Sequence, residues 1–230
     1  MTPTQNPGRV VVVAGATGPA GRAVAHRLAA SGTRVIAAAR NPGDWDDELI
    51  TPAAVDLLDA GATRAFADAT AAAHGRVDGL IHLVGGWRGG KTFAATDLAD
   101  WAVLHDLLIR TVQHTTLAFH AHLRAAPAGR FAIVSQLAAQ HPTQGVAAYA
   151  TAKAASEAWT LALADSYTGS DAAAAILVVR ALLTDAMRRE RPDAPFAGLT
   201  HVDDLAATIA GLWDRPAAEL NGTRLDLSAP

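Results

Sequence analysis

Cysteine is absent from the sequence, which excludes disulfides, thiolate metal sites and a cysteine nucleophile. No run approaches the roughly 18 consecutive apolar residues of a membrane-spanning helix. Basic residues are not in excess: Lys and Arg number 19 against 22 Asp and Glu, a net charge of −3. That balance excludes the strongly basic footprint of a nucleic-acid-binding domain. There is no H-E-x-x-H pair, and His120 and His122 do not share a helix face, so no metal site is expected. The start, "MTPTQNPGR", lacks the apolar core of a signal peptide and reads as an irregular, disordered tail over residues 1–8. These absences together suit a cytoplasmic protein with no membrane and no nucleic-acid partner.

What is there is apolar material for a sizeable core. Half of the 230 residues are hydrophobic, which fits one α/β domain over residues 1–230. Short β-branched or alanine-rich runs read as strands at 9–15, 33–40, 53–57, 77–85, 129–135, 172–179 and 222–228. Between them, apolar residues recur at helical spacing. Ala20, Val24 and Leu28 mark a first helix that Gly32 stops, and residues 60–75 a second. A long helix is expected from Asp97 to Ala125, capped by Thr96, with Trp101, Leu104, Leu108, Val112, Phe119 and Leu123 as its buried stripe. Further helices are expected from Tyr149 to Ser166 and over 201–213. Strands alternating with helices predict a Rossmann-type, doubly wound parallel sheet of about seven strands with helices on both faces.

Two groups of residues carry chemistry. "GATGPAG" puts Gly15, Gly18 and Gly21, with Thr17 and Pro19 between them, in the turn from the first strand to the first helix. Glycines there let the backbone approach a pyrophosphate, whose charge a helix N-terminus favours. The second strand ends in Ala39 and Arg40, with no carboxylate where an NAD site places one. A guanidinium at that position suits a 2′-phosphate, so NADP(H) is favoured over NAD(H). The second group is "YATAK", in which Tyr149 and Lys153 stand four apart and share a helix face. A cation beside a phenol favours the phenolate and makes the tyrosine a better proton carrier.

In this order, the glycine loop, "VDL" at 55–57, "GRFAIVS" and "YATAK" resemble the short-chain dehydrogenase/reductase family over nearly the whole chain. The resemblance implies that Tyr149 is the proton donor or acceptor and that Lys153 holds the nicotinamide ribose and assists the phenol. It implies that Asp56 and the backbone of Leu57 meet the adenine, and that Gly85 lies against the cofactor. "VGGWRGG" at 84–90 and the stretch 188–206 resemble the dihydropteridine reductase-like branch. Residues 184–200 would then form a substrate lid, which includes Met187. The family's helices 97–125 and 149–166 commonly pair with their copies, which implies a homodimer or homotetramer. The outer face here would carry Ala155, Ala158, Ala162 and Trp159.

The sequence also departs from the family's pattern. The active-site serine usually stands thirteen residues before the tyrosine, which here is Gln136, with Ser135 one residue earlier. Either could serve the site, Gln136 through its amide. The helix asparagine falls on Leu108, and the Pro-Gly after the sixth strand becomes Arg180-Ala181. Trp87 and Arg88 follow the fourth strand's C-terminal end, where ligands bind in open α/β sheets. His141 lies in the loop before the tyrosine helix. Trp87, Arg88, His141 and Met187 are therefore the candidate contacts to a small-molecule substrate. The reading is an NADPH-dependent reductase of a small carbonyl or imine-like compound. Its alternatives are a non-redox enzyme of the family, such as an epimerase or dehydratase, and a non-catalytic dinucleotide-binding regulator.

Overall fold

Five consecutive apolar residues make the first strand, β1 (Val10–Ala14), buried from end to end. Its side chains alternate between two cores, as the pleat dictates. Val10 and Val12 pack with Phe119, Leu123, Phe131, Ile133 and Tyr167, while Val11 and Val13 pack with Val24, Leu28, Leu177, Leu205 and Ile209. One face of the sheet is thus covered by α2 (Ala60–His74), α4 (Thr111–Ala125) and α5 (Ala147–Ser166). The other is covered by α1 (Pro19–Ala30) and α7 (Val202–Ala210). The computed structural model describes residues 8–228. The tail expected over residues 1–8 lies, but for Gly8, outside the described residues.

The remaining strands are β2 (Arg34–Ala39), β3 (Ile50–Ala54), β4 (Gly79–His82), β5 (Arg130–Gln136), β6 (Ala173–Val179) and β9 (Arg224–Asp226). With β1 they form one parallel sheet of seven strands in the order β3-β2-β1-β4-β5-β6-β9. A short pair, β7 (Leu182–Leu183) with β8 (Thr200–His201), closes the base of the segment that holds α6 (Asp185–Glu190). The chain winds outward from β1 to β3 and then returns to β4 on the other side of β1. That reversal opens a crevice at the C-terminal ends of β1 and β4.

Three local expectations are corrected. The third strand is Ile50–Ala54, not 53–57, and it contains Pro52. Proline cannot donate to a ladder on both sides, but β3 is an edge strand paired only with β2, so Pro52 is tolerated. Residues 55–57 leave the strand and enter the crevice instead. The long helix expected over 97–125 is not uniform. It runs as α3 (Leu98–Leu104), a π-helical stretch His105–Arg110, and α4. Its cap is Asp97, whose carboxylate accepts from the Ala99 amide at 2.8 Å, while Thr96 Oγ1 donates to the Phe93 carbonyl. Trp159 faces inward, its Nε1 donating to Thr116 Oγ1 at 2.9 Å, so the outer face of α5 is left to Ala154, Ala158 and Ala162.

Candidate active site

The turn between β1 and α1 is shaped by close backbone packing. Gly15 has φ +80°, and a Cβ there would meet the Leu83 and Val84 backbone at 2.8 Å. A Cβ on Gly21 would stand 2.3 Å from the Gly15 carbonyl oxygen. Both glycines are therefore required by the fold itself. Gly18 is different. Its φ is −69°, and a Cβ there would touch only the Gly15 oxygen, at an ordinary 3.6 Å. Nothing in the protein needs glycine at 18, and its bare backbone at the start of α1 leaves the space a phosphate group would take. The donor set and the shape of the turn fit a dinucleotide.

A groove runs from this turn in two directions. On one side a cleft of about 330 Å³ is lined by Thr17, Arg40, Asp56, Leu57 and Thr111, among others. Arg40 is exposed at the end of β2 and has no carboxylate partner among the described residues. The carboxylate of Asp56 accepts from the Leu58 amide at 3.0 Å, which fixes the loop after β3. His114 Nδ1 lies 2.9 Å from the Leu57 carbonyl and braces the same loop from α4. On the other side, a cleft of about 580 Å³ is lined by Pro19, Gly21, His82, Trp87, Tyr149, Lys153, Arg180 and Met187 with apolar neighbours such as Leu83 and Leu182. Gly15, Gly18, Leu83, Val84 and Gly85 belong to both walls, so the two clefts are continuous. No carboxylate lines the larger one.

Tyr149 and Lys153 do share one face of α5, with Lys153 Nζ 5.8 Å from the centre of the phenol ring. The ammonium donates to the Val134 carbonyl at 2.8 Å, which ties α5 to β5. Burial pushes the phenol up to about 12, so it is protonated at neutral pH. Burial pulls the ammonium down to about 8, against the opposing charge of Glu157. The expected lowering of the phenol by its neighbouring cation is not found in this arrangement, where desolvation alone sets the direction. His82, at the end of β4, is buried between Thr111 Oγ1 (3.1 Å) and Thr115 Oγ1 (3.2 Å). Its burial, then the charge of Lys153, takes it down to about 3, so it is a neutral wall of the cleft.

The two rivals for the serine position are both engaged elsewhere. Ser135 is fully buried and its Oγ donates to Glu157 Oε1 at 2.5 Å. Gln136 caps the turn after β5 by accepting from the Ala138 amide, and its Nε2 donates to the Arg180 carbonyl at 2.8 Å. Leu108 sits buried in the π-helical stretch, where Ser156 Oγ donates to its carbonyl at 2.6 Å. Two candidates are not brought to the cleft. Arg88 turns toward the Trp87 carbonyl and Asp100, and His141 stays in an exposed loop. Sequence reasoning missed His82 and Glu157, buried polar groups inside stretches that read as plain strand and helix.

The family profile described as short chain dehydrogenase matches residues 9–194. The chain belongs to the short-chain dehydrogenase family. It is an oxidoreductase of that family. Solved structures agree in fold. A 3-ketoacyl-(acyl-carrier-protein) reductase from Brucella melitensis, complexed with NADH, has 21% identity and a TM-score of 0.82, covering 96% of each chain. An NADPH-bound short-chain oxidoreductase from Pseudomonas aeruginosa PAO1, described as containing an atypical catalytic center, has 23% identity and a TM-score of 0.81. It covers 95% of this chain and 94% of its own. An aldohexose dehydrogenase from Thermoplasma acidophilum has 20% identity and a TM-score of 0.79, over 96% of this chain and 92% of that one. No curated protein matches the sequence. Among the described residues, no helix is long and apolar enough to cross a membrane.

Proposed function

We propose that the protein is an NADPH-dependent reductase of a small, largely apolar carbonyl or imine-like compound, with Tyr149 as its proton donor. The observation that carries this is Tyr149 and Lys153 side by side in a cleft continuous with the glycine turn. The nicotinamide, when bound, supplies the hydride. Gly15, Gly18 and Gly21 would hold the pyrophosphate, Arg40 the 2′-phosphate, and Asp56 and Leu57 the adenine. A phenol that burial keeps protonated can donate to the oxygen or nitrogen of the substrate as negative charge develops there. The ammonium of Lys153 keeps two N–H donors beyond the one spent on Val134, and stabilises the phenolate left behind. The apolar wall of Leu83, Trp87, Leu182 and Met187 excludes water and favours an apolar substrate body.

The pterin-type branch rests on the Gly-Gly-Trp turn, whose Trp87 stands 59% exposed in the substrate cleft. The cysteine-free sequence favours a reducing compartment, and we place the enzyme in the cytoplasm as a single domain. Leu117 is 59% exposed on α4, beside an α5 whose outer face is alanine. That surface supports assembly as a homodimer or homotetramer, which light scattering at micromolar concentration checks. The function is tested by following NADPH consumption against a panel of small carbonyl, quinonoid and imine-like compounds, with NADH in parallel. Turnover with at least one compound, faster with NADPH, is expected. Cofactor binding without turnover of any compound would instead favour the non-catalytic regulator, and a changed substrate with no net NADPH loss the non-redox enzyme.

A further inference from the structure

Glu157 and Asp78 are the only buried carboxylates among the described residues. Asp78 is accounted for by the start of β1, since it accepts from the Val10 amide and pairs with Arg76. Glu157 caps no backbone amide and is held by side chains alone. It is 3% exposed, one helical turn past Lys153 and two past Tyr149 on the same face of α5. Oε1 accepts from Ser135 Oγ at 2.5 Å and Oε2 from Arg224 Nε at 2.7 Å. Arg224 reaches it from β9, on the far side of β6. Lys153 and Glu157 are thus tied to consecutive residues of β5, Val134 and Ser135.

A buried charge is costly, and a well-packed apolar residue at such a position is often as stable or more so. The site therefore calls for another reason for the carboxylate. The cleft that holds the Lys153 ammonium has no carboxylate in its lining, and burial alone disfavours the charge. We propose that Glu157 is a positioning residue that serves as counter-charge to the Lys153 ammonium, with Ser135 and Arg224 holding its two oxygens in place. This gives Ser135 a role one step removed from the substrate. The groups facing Lys153 are Tyr149 on its own helix, His82 from β4 and the Val134 carbonyl of β5; those facing Glu157 are Ser135 of β5 and Arg224 of β9. Arg224 and, in the wall of the same cleft, Arg180 are the further charges, because His82 is neutral.

The consequence for proton transfer rests on the Tyr149/Lys153 reading above, but the test does not. Lys91 and Lys153 are the only lysines in the chain, so ¹³C-lysine NMR of the whole protein gives two signals, and Lys91→Arg assigns them. In Glu157→Gln the titration midpoint of Lys153 should fall by about two pH units, the order expected for unit charges one helical turn apart at an effective dielectric near 20. In Arg224→Met, which removes a cation and keeps the carboxylate, it should rise. A packing role would move both variants in the same direction, through looser burial. An unchanged midpoint in Glu157→Gln, or a fall in Arg224→Met, overturns the proposal. If Glu157→Gln does not fold, Arg224→Glu decides: a charge effect raises the midpoint beyond that of Arg224→Met, and an equal rise in both overturns the proposal. The readout needs no substrate, so a catalytically silent Tyr149 would leave it standing.

Discussion

At the N-terminal ends of the strands, Arg130 is buried and donates to four carbonyls, those of Gly129, Asp171, Leu212 and Arg215. At the C-terminal ends, Lys153 is half-buried and donates to one, that of Val134, while Arg40 has no partner among the described residues. Asp78 at the lower edge is likewise saturated by the Val10 amide and the Arg76 guanidinium. At the lower edge these buried charges are spent on the fold. The upper edge keeps donors in reserve around a crevice, at a cost visible in the depressed ammonium of Lys153. Charge that is fully engaged holds a structure together, and charge left partly engaged beside a cleft is available to a ligand.

The largest effect expected from breaking this contrast is at the lower edge. Arg130→Met should strand several buried carbonyls and cost about 3 kcal/mol or more of stability, read by urea unfolding. The folded fraction should bind cofactor normally. At the upper edge, Gly18→Ala should leave stability unchanged, because its Cβ has room within the protein. Crowding the phosphate should weaken NADPH binding by at least about tenfold in calorimetry. Arg40→Ala should lose about tenfold in NADPH affinity and spare NADH, since a charge-assisted contact is worth roughly 1.5–3 kcal/mol. Equal loss for both cofactors would mean that Arg40 does not read the 2′-phosphate. Gln136→Ala should give the smallest change, a fall in turnover within about tenfold, as befits one hydrogen bond to the Arg180 carbonyl. It should still exceed that of Ser135→Ala, whose buried hydroxyl is spent on Glu157. The opposite ranking in steady-state kinetics would place the serine in the site.

The lower and upper edges were not equally legible in the sequence. The alternation of strands and helices, the glycine turn and the Tyr149/Lys153 spacing are local patterns, and each is read directly from neighbouring residues. The third strand is hard to bound from sequence because it contains Pro52, which disfavours a strand except at an edge where one side of the ladder is free. The π-helical stretch left only a faint mark. Leu104, Leu108 and Val112 follow one another at steps of four, where a regular helix mixes threes and fours. Trp159 was assigned outward because its partner, Thr116, is 43 positions away. Glu157 was invisible for the same reason: Ser135 and Arg224 lie 22 and 67 positions from it, and only the folded sheet brings them together. Conversely, Arg88 and His141 stood at the right place in the chain order, and their side chains turned elsewhere.

The central claim is that the open donors of the upper edge carry out proton transfer, and one substitution tests it with the ring and the fold kept. On any compound that the wild type reduces, Tyr149→Phe should turn over about 10² to 10⁴ more slowly, the usual worth of general acid–base catalysis, with NADPH affinity intact. Turnover of that compound by Tyr149→Phe at the wild-type rate would contradict it.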